Sequence, residues 1–179
     1  MTSVRLATPA DAALLAELGA RTFDETFAAD NRAEDMALYL DRSYSVAQQS
    51  AELADPTMAT LLAELDGQVA GYAQLRSQRP PDCVEGPAPL ELWRFYVDRP
   101  WQGRGVAQAL MAEVRAEAMR RGARTLWLCV WERNERAKAF YRRCGFLDVG
   151  SQPFILGTDR QTDRVLATAL SETFAEASR

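Results

Sequence analysis

The residues with the clearest chemical capacity are the six of Gln102-Gly103-Arg104-Gly105-Val106-Ala107. Two glycines remove the side chains that would hold a ligand away from the main chain. The apolar periodicity that begins at Val106 predicts a helix over 106–121, whose first turn leaves N–H groups without partners. Those donors, with the positive end of the helix dipole, suit a phosphate. Two familiar phosphate loops do not match. The dinucleotide fingerprint needs a glycine where Gln108 stands, and the nucleotide-triphosphate loop needs a Lys-Ser or Lys-Thr pair that is absent. A glycine turn ahead of an ordinary helix is the plainer reading of the six residues taken alone.

A second constellation follows. Asn134, Ala137 or Lys138, and Tyr141 fall on one face of a helix predicted over 134–143. An asparagine amide can pair with a peptide-like amide, a small Ala137 lets an extended ligand lie close, and Tyr141 adds a phenol. The chain has no histidine, which excludes Ser–His–Asp and Cys–His catalysis and most zinc sites. Proton transfer then falls to Glu, Asp, Tyr, Cys or water. One of these, Glu91, lies in a strand predicted over 90–97. Strict alternation puts it on the face of Trp93, Phe95 and Val97, with Arg94 opposite. A solvated or salt-bridged Glu91, and a Tyr141 that is simply a core aromatic, remain open at this point.

The surrounding elements read as mixed α/β. A short strand over 3–6 precedes Thr8-Pro9-Ala10-Asp11, a helix start with a Thr cap and Pro at the first helical position. Leu14, Leu15, Leu18 and Phe23 recur at helical spacing to about residue 26. Two more helices are expected over 31–40 and 45–53. Strands over 59–65 and 68–76 flank Asp66-Gly67, a tight hairpin turn. After a Pro- and Gly-rich surface loop over 77–89, further strands are expected at 90–97, 126–131, 145–156 and 164–170, with a turn over 157–162. No repeat or low-complexity segment interrupts one domain over 1–179.

Composition narrows the function. With 25 acidic against 21 basic residues, the net charge of −4 disfavours nucleic-acid binding. Three cysteines without a CxxC pair suit a reduced, cytoplasmic setting. The N-terminus lacks a signal-peptide pattern, and no stretch reaches membrane-spanning length. No metal is expected. Monomer and homodimer are both open.

The pattern Gln102-x-x-Gly105-x-Ala107 resembles the pyrophosphate loop of the GNAT superfamily of N-acetyltransferases. Asn134-x-x-Ala137-x-x-Phe140-Tyr141-x-x-x-Gly145-Phe146 is similar to that family's second motif. The resemblance implies a GNAT fold: a mostly antiparallel central sheet, one splayed parallel strand pair, and helices on both faces. It implies acetyl-CoA as co-substrate and direct acetyl transfer to a primary amine. Gln102, Gly103, Arg104, Gly105, Val106 and Ala107 would hold the pyrophosphate. Phe95, Tyr96, Val97, Asn134, Ala137, Lys138 and Tyr141 would line the pantetheine arm. Tyr141 would be the general acid, a main-chain N–H near Tyr96 or Val97 the oxyanion donor, and Glu91 the base through water. The segments TFDETFAADN, ELWRFYV and FILGTDRQTD look like the PaiA-type branch, which implies spermidine or spermine as acceptor. Phe23, Glu25 and Phe27 of the first helix would then contact it. The alternatives are a protein N-terminus, an amino acid or another small amine as acceptor, or a non-catalytic acyl-CoA-binding regulator.

Overall fold

The structure is a computed structural model and describes residues 1–171. Its strands are β1 (Ser3–Leu6), β2 (Met58–Leu65), β3 (Gln68–Arg76), β4 (Pro89–Val97), β5 (Thr125–Trp131), β6 (Leu147–Leu156) and β7 (Asp159–Ala169). Its helices are α1 (Ala12–Phe27), α2 (Ala33–Tyr44), α3 (Val46–Ala54), α4 (Val106–Arg120) and α5 (Glu135–Arg143). The strands form one sheet in the order β1-β2-β3-β4-β5-β7-β6. Every neighbouring pair is antiparallel except β4 and β5. This is the mixed sheet with one parallel pair expected above.

Local chemistry explains the element ends. Asp66 and Gly67 take φ of 54° and 76°, the left-handed pair that a two-residue hairpin between β2 and β3 demands. Ser45 caps α3 by accepting from the Gln48 N–H at 3.1 Å. Helices cover both faces of the sheet. On one face, Leu110 and Val114 of α4 are wholly buried against Leu75, Leu92 and Leu126, and Phe146 completes this largest apolar cluster. Burying each such side chain contributes about 2 kcal/mol. On the other face, Leu15 and Leu18 of α1 pack on Leu62 and Tyr72. A further cluster joins Phe23, Met36, Tyr44 and Leu156. Among the described residues no helix is long and apolar enough to cross a membrane.

Two features depart from the sequence reading, and both shape the site. The first lies in β4. Gln74 of β3 pairs with Arg94, but the next pairs are Leu75 with Leu92 and Arg76 with Glu91, so Trp93 is an extra residue in a bulge. The bulge breaks the alternation. Glu91 therefore shares its face with Arg94 and Tyr96, while Phe95 and Val97 pack on the α4 face. The second is the length of β7. It begins at Asp159, because the polar run Asp159–Thr162 pairs with Pro153–Leu156 of β6 in a long hairpin. The expected turn shrinks to Gly157-Thr158.

Candidate active site

The parallel pair β4–β5 holds together over only Pro89, Leu90 and Glu91 against Thr125, Leu126 and Trp127. Beyond that the strands diverge. The β5-facing main chain of Phe95–Val97 is left without a strand partner, which suits an extended ligand that adds to the edge. Next along the chain, Gln102 Nε2 donates to the Val97 carbonyl at 3.0 Å, tying the glycine loop to the end of β4. Gly103 and Gly105 take φ of 78° and 82°, and a Cβ on either would meet nothing within 4 Å. Gly105 is the N-cap of α4, and the first helical bond runs from Ala109 N–H to its carbonyl at 3.1 Å. The N–H groups of Val106, Ala107 and Gln108 are therefore available at the head of a groove.

That groove is lined by Phe95, Tyr96 and Val97 from β4, by Gln102, Gly103, Gly105 and Ala107 from the loop, and by Asn134, Ala137, Phe140 and Tyr141 around α5. Nearly all the loop and helix residues singled out in the sequence converge on it. Three do not line it. The Val106 side chain is buried in the core, so only its N–H faces outward. Arg104 packs its guanidinium over Trp101 at 5.2 Å. Lys138 turns away to the Glu135 carboxylate and the Glu132 carbonyl, because that pair satisfies its ammonium locally. Asn134 also has a structural duty: its Oδ1 accepts from the Ala137 N–H at 3.1 Å and caps α5. Its amide nitrogen remains for a ligand.

A second cavity opens on the other side of the splay, beneath α1 and α2, and is lined by Phe23, Phe27, Tyr39, Glu91, Trp131, Gln152, Phe154, Gln161 and Asp163 among others. Phe95, Tyr96, Asn134, Ala137 and Tyr141 line both spaces. The groove and the cavity therefore share a wall, and Tyr141 is part of it. Tyr141 is buried, with ring neighbours Phe95 at 6.2 Å and Phe146 at 5.7 Å. Burial pushes its phenol far above the ordinary value, so it stays protonated at any physiological pH.

Glu91 is buried, and the Arg76 guanidinium grips its carboxylate through two nitrogens. Burial pushes its pKa up and Arg76 opposes the rise, the net being upward. The Arg76 and Arg94 guanidiniums both lie over the ring of the bulged Trp93, at 3.9 and 3.7 Å from its centroid. Arg94 in turn is held by Glu52 and Gln74, both at 2.7 Å. Cys129, on the floor of the cavity, has its thiol pushed up to about 12 by burial and is inert as a nucleophile.

Of the three first-helix residues singled out in the sequence, two line the cavity. Phe23 and Phe27, four residues apart, meet as tilted rings 4.6 Å apart and line the cavity. Glu25 lies two residues from each, on the opposite side of the helix, and is exposed and lines neither space. The acid of the next helix, Asp35, accepts from the Thr158 N–H at 2.6 Å and its hydroxyl at 2.8 Å, and so pins α2 to the β6–β7 hairpin. Sequence reasoning missed Asp163, Gln161, Tyr39 and Trp131. Only the register of β7 against β5 brings Asp163 opposite Trp131.

The model of the acetyltransferase (GNAT) family matches residues 20–146, which span both motifs and the splayed strands. The chain belongs to the GNAT family. This acetyltransferase is 36% identical over 149 residues to an uncharacterised N-acetyltransferase of the pepI 3′ region in Lactobacillus delbrueckii subsp. lactis, covering 83% of this chain and 86% of that one. It is 33% identical over 150 residues to the aminoglycoside N(6′)-acetyltransferase type 1 of Stenotrophomonas maltophilia, covering 80% and 85%. Among solved structures it superposes with a TM-score of 0.78 on the PaiA N-acetyltransferase of Thermoplasma acidophilum in complex with coenzyme A, at 18% identity, covering 94% of this chain and 99% of that one. That likeness establishes the GNAT fold for the chain.

Proposed function

We propose that this acetyltransferase moves an acetyl group from acetyl-CoA to a primary amine by direct attack, and that the amine belongs to an aliphatic polyamine such as spermidine or spermine. The observation that carries the reading is the shared wall: a groove and a cavity that meet at Phe95, Tyr96, Asn134, Ala137 and Tyr141. Two substrates entering from opposite sides would meet there.

The residues present fit coenzyme A. The space over Gly103 and Gly105 is one that a Cβ would enter, and three N–H groups of α4 face it. The Phe95–Val97 edge offers unpaired main-chain groups to an amide-bearing arm, and Asn134 offers its amide nitrogen. Acetyl-CoA supplies the activated thioester. Within the protein, a main-chain N–H near Val97 is the oxyanion donor. Glu91, raised by burial, accepts the proton of the amine through water. Tyr141 holds its proton until the thiolate departs. Acid–base groups of this kind contribute roughly 10²–10⁴-fold.

For the acceptor, the support is an aromatic cavity that also carries the carboxylates Glu91 and Asp163, as a cationic chain requires. The likeness to a PaiA N-acetyltransferase points the same way. Three free cysteines favour a cytoplasmic protein. The test follows free thiol release from acetyl-CoA with spermidine, spermine, an aminoglycoside, amino acids and an N-terminal peptide. Release with the polyamines at the highest kcat/KM is expected. A higher kcat/KM with the aminoglycoside removes the polyamine acceptor, and no release with any amine removes amine transfer altogether.

A further inference from the structure

Asp163 is the odd carboxylate of the acceptor cavity. It is 8% exposed, yet among the described residues no side chain or N–H donates to it and no cation pairs with it. Glu91, in the same cavity, has Arg76. A buried carboxylate without a partner is costly unless something else supplies the positive charge. Its surroundings are built for that something. Phe23 and Tyr39 stack at 4.4 Å, Tyr39 meets Phe154 at 5.6 Å, and Phe27 meets Trp131 at 5.9 Å. These rings line the same cavity as the carboxylate, and aromatic faces attract an alkylammonium.

Asp163 lies off the wall that the groove and the cavity share. The reacting nitrogen must reach the wall shared with the groove, at Tyr141. Asp163 lines the cavity but not the groove. Resting on the amine-transfer reading above, we propose that Asp163 and its aromatic wall bind the second, non-reacting ammonium of an α,ω-diamine or polyamine, making Asp163 the residue that selects dications over monoamines. It acts on specificity, and no proton transfer is assigned to it.

The test compares 1,4-diaminobutane and longer α,ω-diamines with n-alkylamines of matched length, on the wild-type protein, Asp163→Asn and Asp163→Glu. The wild type is expected to favour the best diamine over its matched monoamine by about tenfold or more in kcat/KM. Asp163→Asn is expected to collapse that preference to about twofold through KM, while kcat for the monoamine and coenzyme A affinity hold. Asp163→Glu, which keeps the charge, retains a preference. A kcat loss of the same size for both amines, or a preference that survives in Asp163→Asn, overturns the proposal. Calorimetric titration of the diamine without acetyl donor keeps the two readings apart. If no amine is acetylated but Asp163-dependent binding persists, amine transfer falls and the ammonium site stands. If the wild type acetylates monoamines as well as diamines, transfer stands and the ammonium site falls.

Discussion

Glu91 and Arg94 stand on the same face of β4 although three positions separate them, because Trp93 is inserted between their pairs with Arg76 and Gln74. The bulge has two consequences. It turns Glu91 away from the α4 core and into the aromatic cavity, where Arg76 holds it. It also leaves the strand free to bend away from β5 after the last shared pair, Glu91 with Trp127.

Replacing Glu91 with Gln tests whether that placement serves catalysis. The expected result is a kcat lower by roughly 10²-fold or more, with acetyl-CoA affinity held. Loss of the ion pair also destabilises the fold by about 2 kcal/mol, since Arg76 keeps a hydrogen-bond acceptor in Gln but not a charge. Full rate across the pH range would remove Glu91 as the base.

Tyr141→Phe keeps the ring packing against Phe95 and Phe146 and deletes only the hydroxyl. A kcat decrease of roughly 10²-fold is expected, with coenzyme A binding measured by calorimetry unchanged. Because burial raises the phenol, the wild type should show no alkaline loss of rate from Tyr141 below the ordinary tyrosine range. Unchanged turnover in the Phe variant contradicts the acid role.

Gly105→Val acts at two levels. At φ of 82° a β-branched residue is strained by about 1–2 kcal/mol, and its side chain enters the space over the α4 N–H groups. Melting temperature should fall modestly while the dissociation constant for coenzyme A rises by about tenfold or more. Unchanged affinity in a folded variant means the loop does not carry the pyrophosphate.

Asp163 makes stability depend on pH with a definite sign. Burial raises its pKa from 3.8 to about 6, with the nearby Glu132 adding to the rise. Between those values the folded protein binds more protons than the unfolded chain, so this residue lowers stability as pH climbs through the window. Asp163→Asn should therefore raise the melting temperature above pH 6, by the equivalent of about 3 kcal/mol, and change it little below pH 4. Equal gains at pH 4 and pH 8 contradict the assignment.

Asp35→Ala releases α2 from Thr158. The roof of the cavity should loosen, raising the KM for the amine more than that for acetyl-CoA and lowering the melting temperature. Equal changes in both KM values mean that α2 does not roof the acceptor cavity.

Much of the site was legible in order of residues, because its physics is local. A positive-φ glycine before a helix needs only its neighbours to make an N–H cradle, and the spacing Asn134, Ala137, Tyr141 fixes one helical face whatever surrounds it. Family membership and the order of elements rest on the same local patterns. What lay beyond the sequence depends on pairing across the sheet. The bulge at Trp93 exists only against β3, so the face of Glu91 could not be read from alternation. The pairing of β7 with β5 sets Asp163 opposite Trp131, and Lys138 leaves the groove only because Glu132 and Glu135 lie within its reach. The sequence by itself determined which ends of which elements carry the glycine loop and Tyr141. Tertiary structure decided which carboxylate is paired, which is left bare, and that both face one aromatic cavity, since burial and partner choice are properties of residues brought together from distant strands.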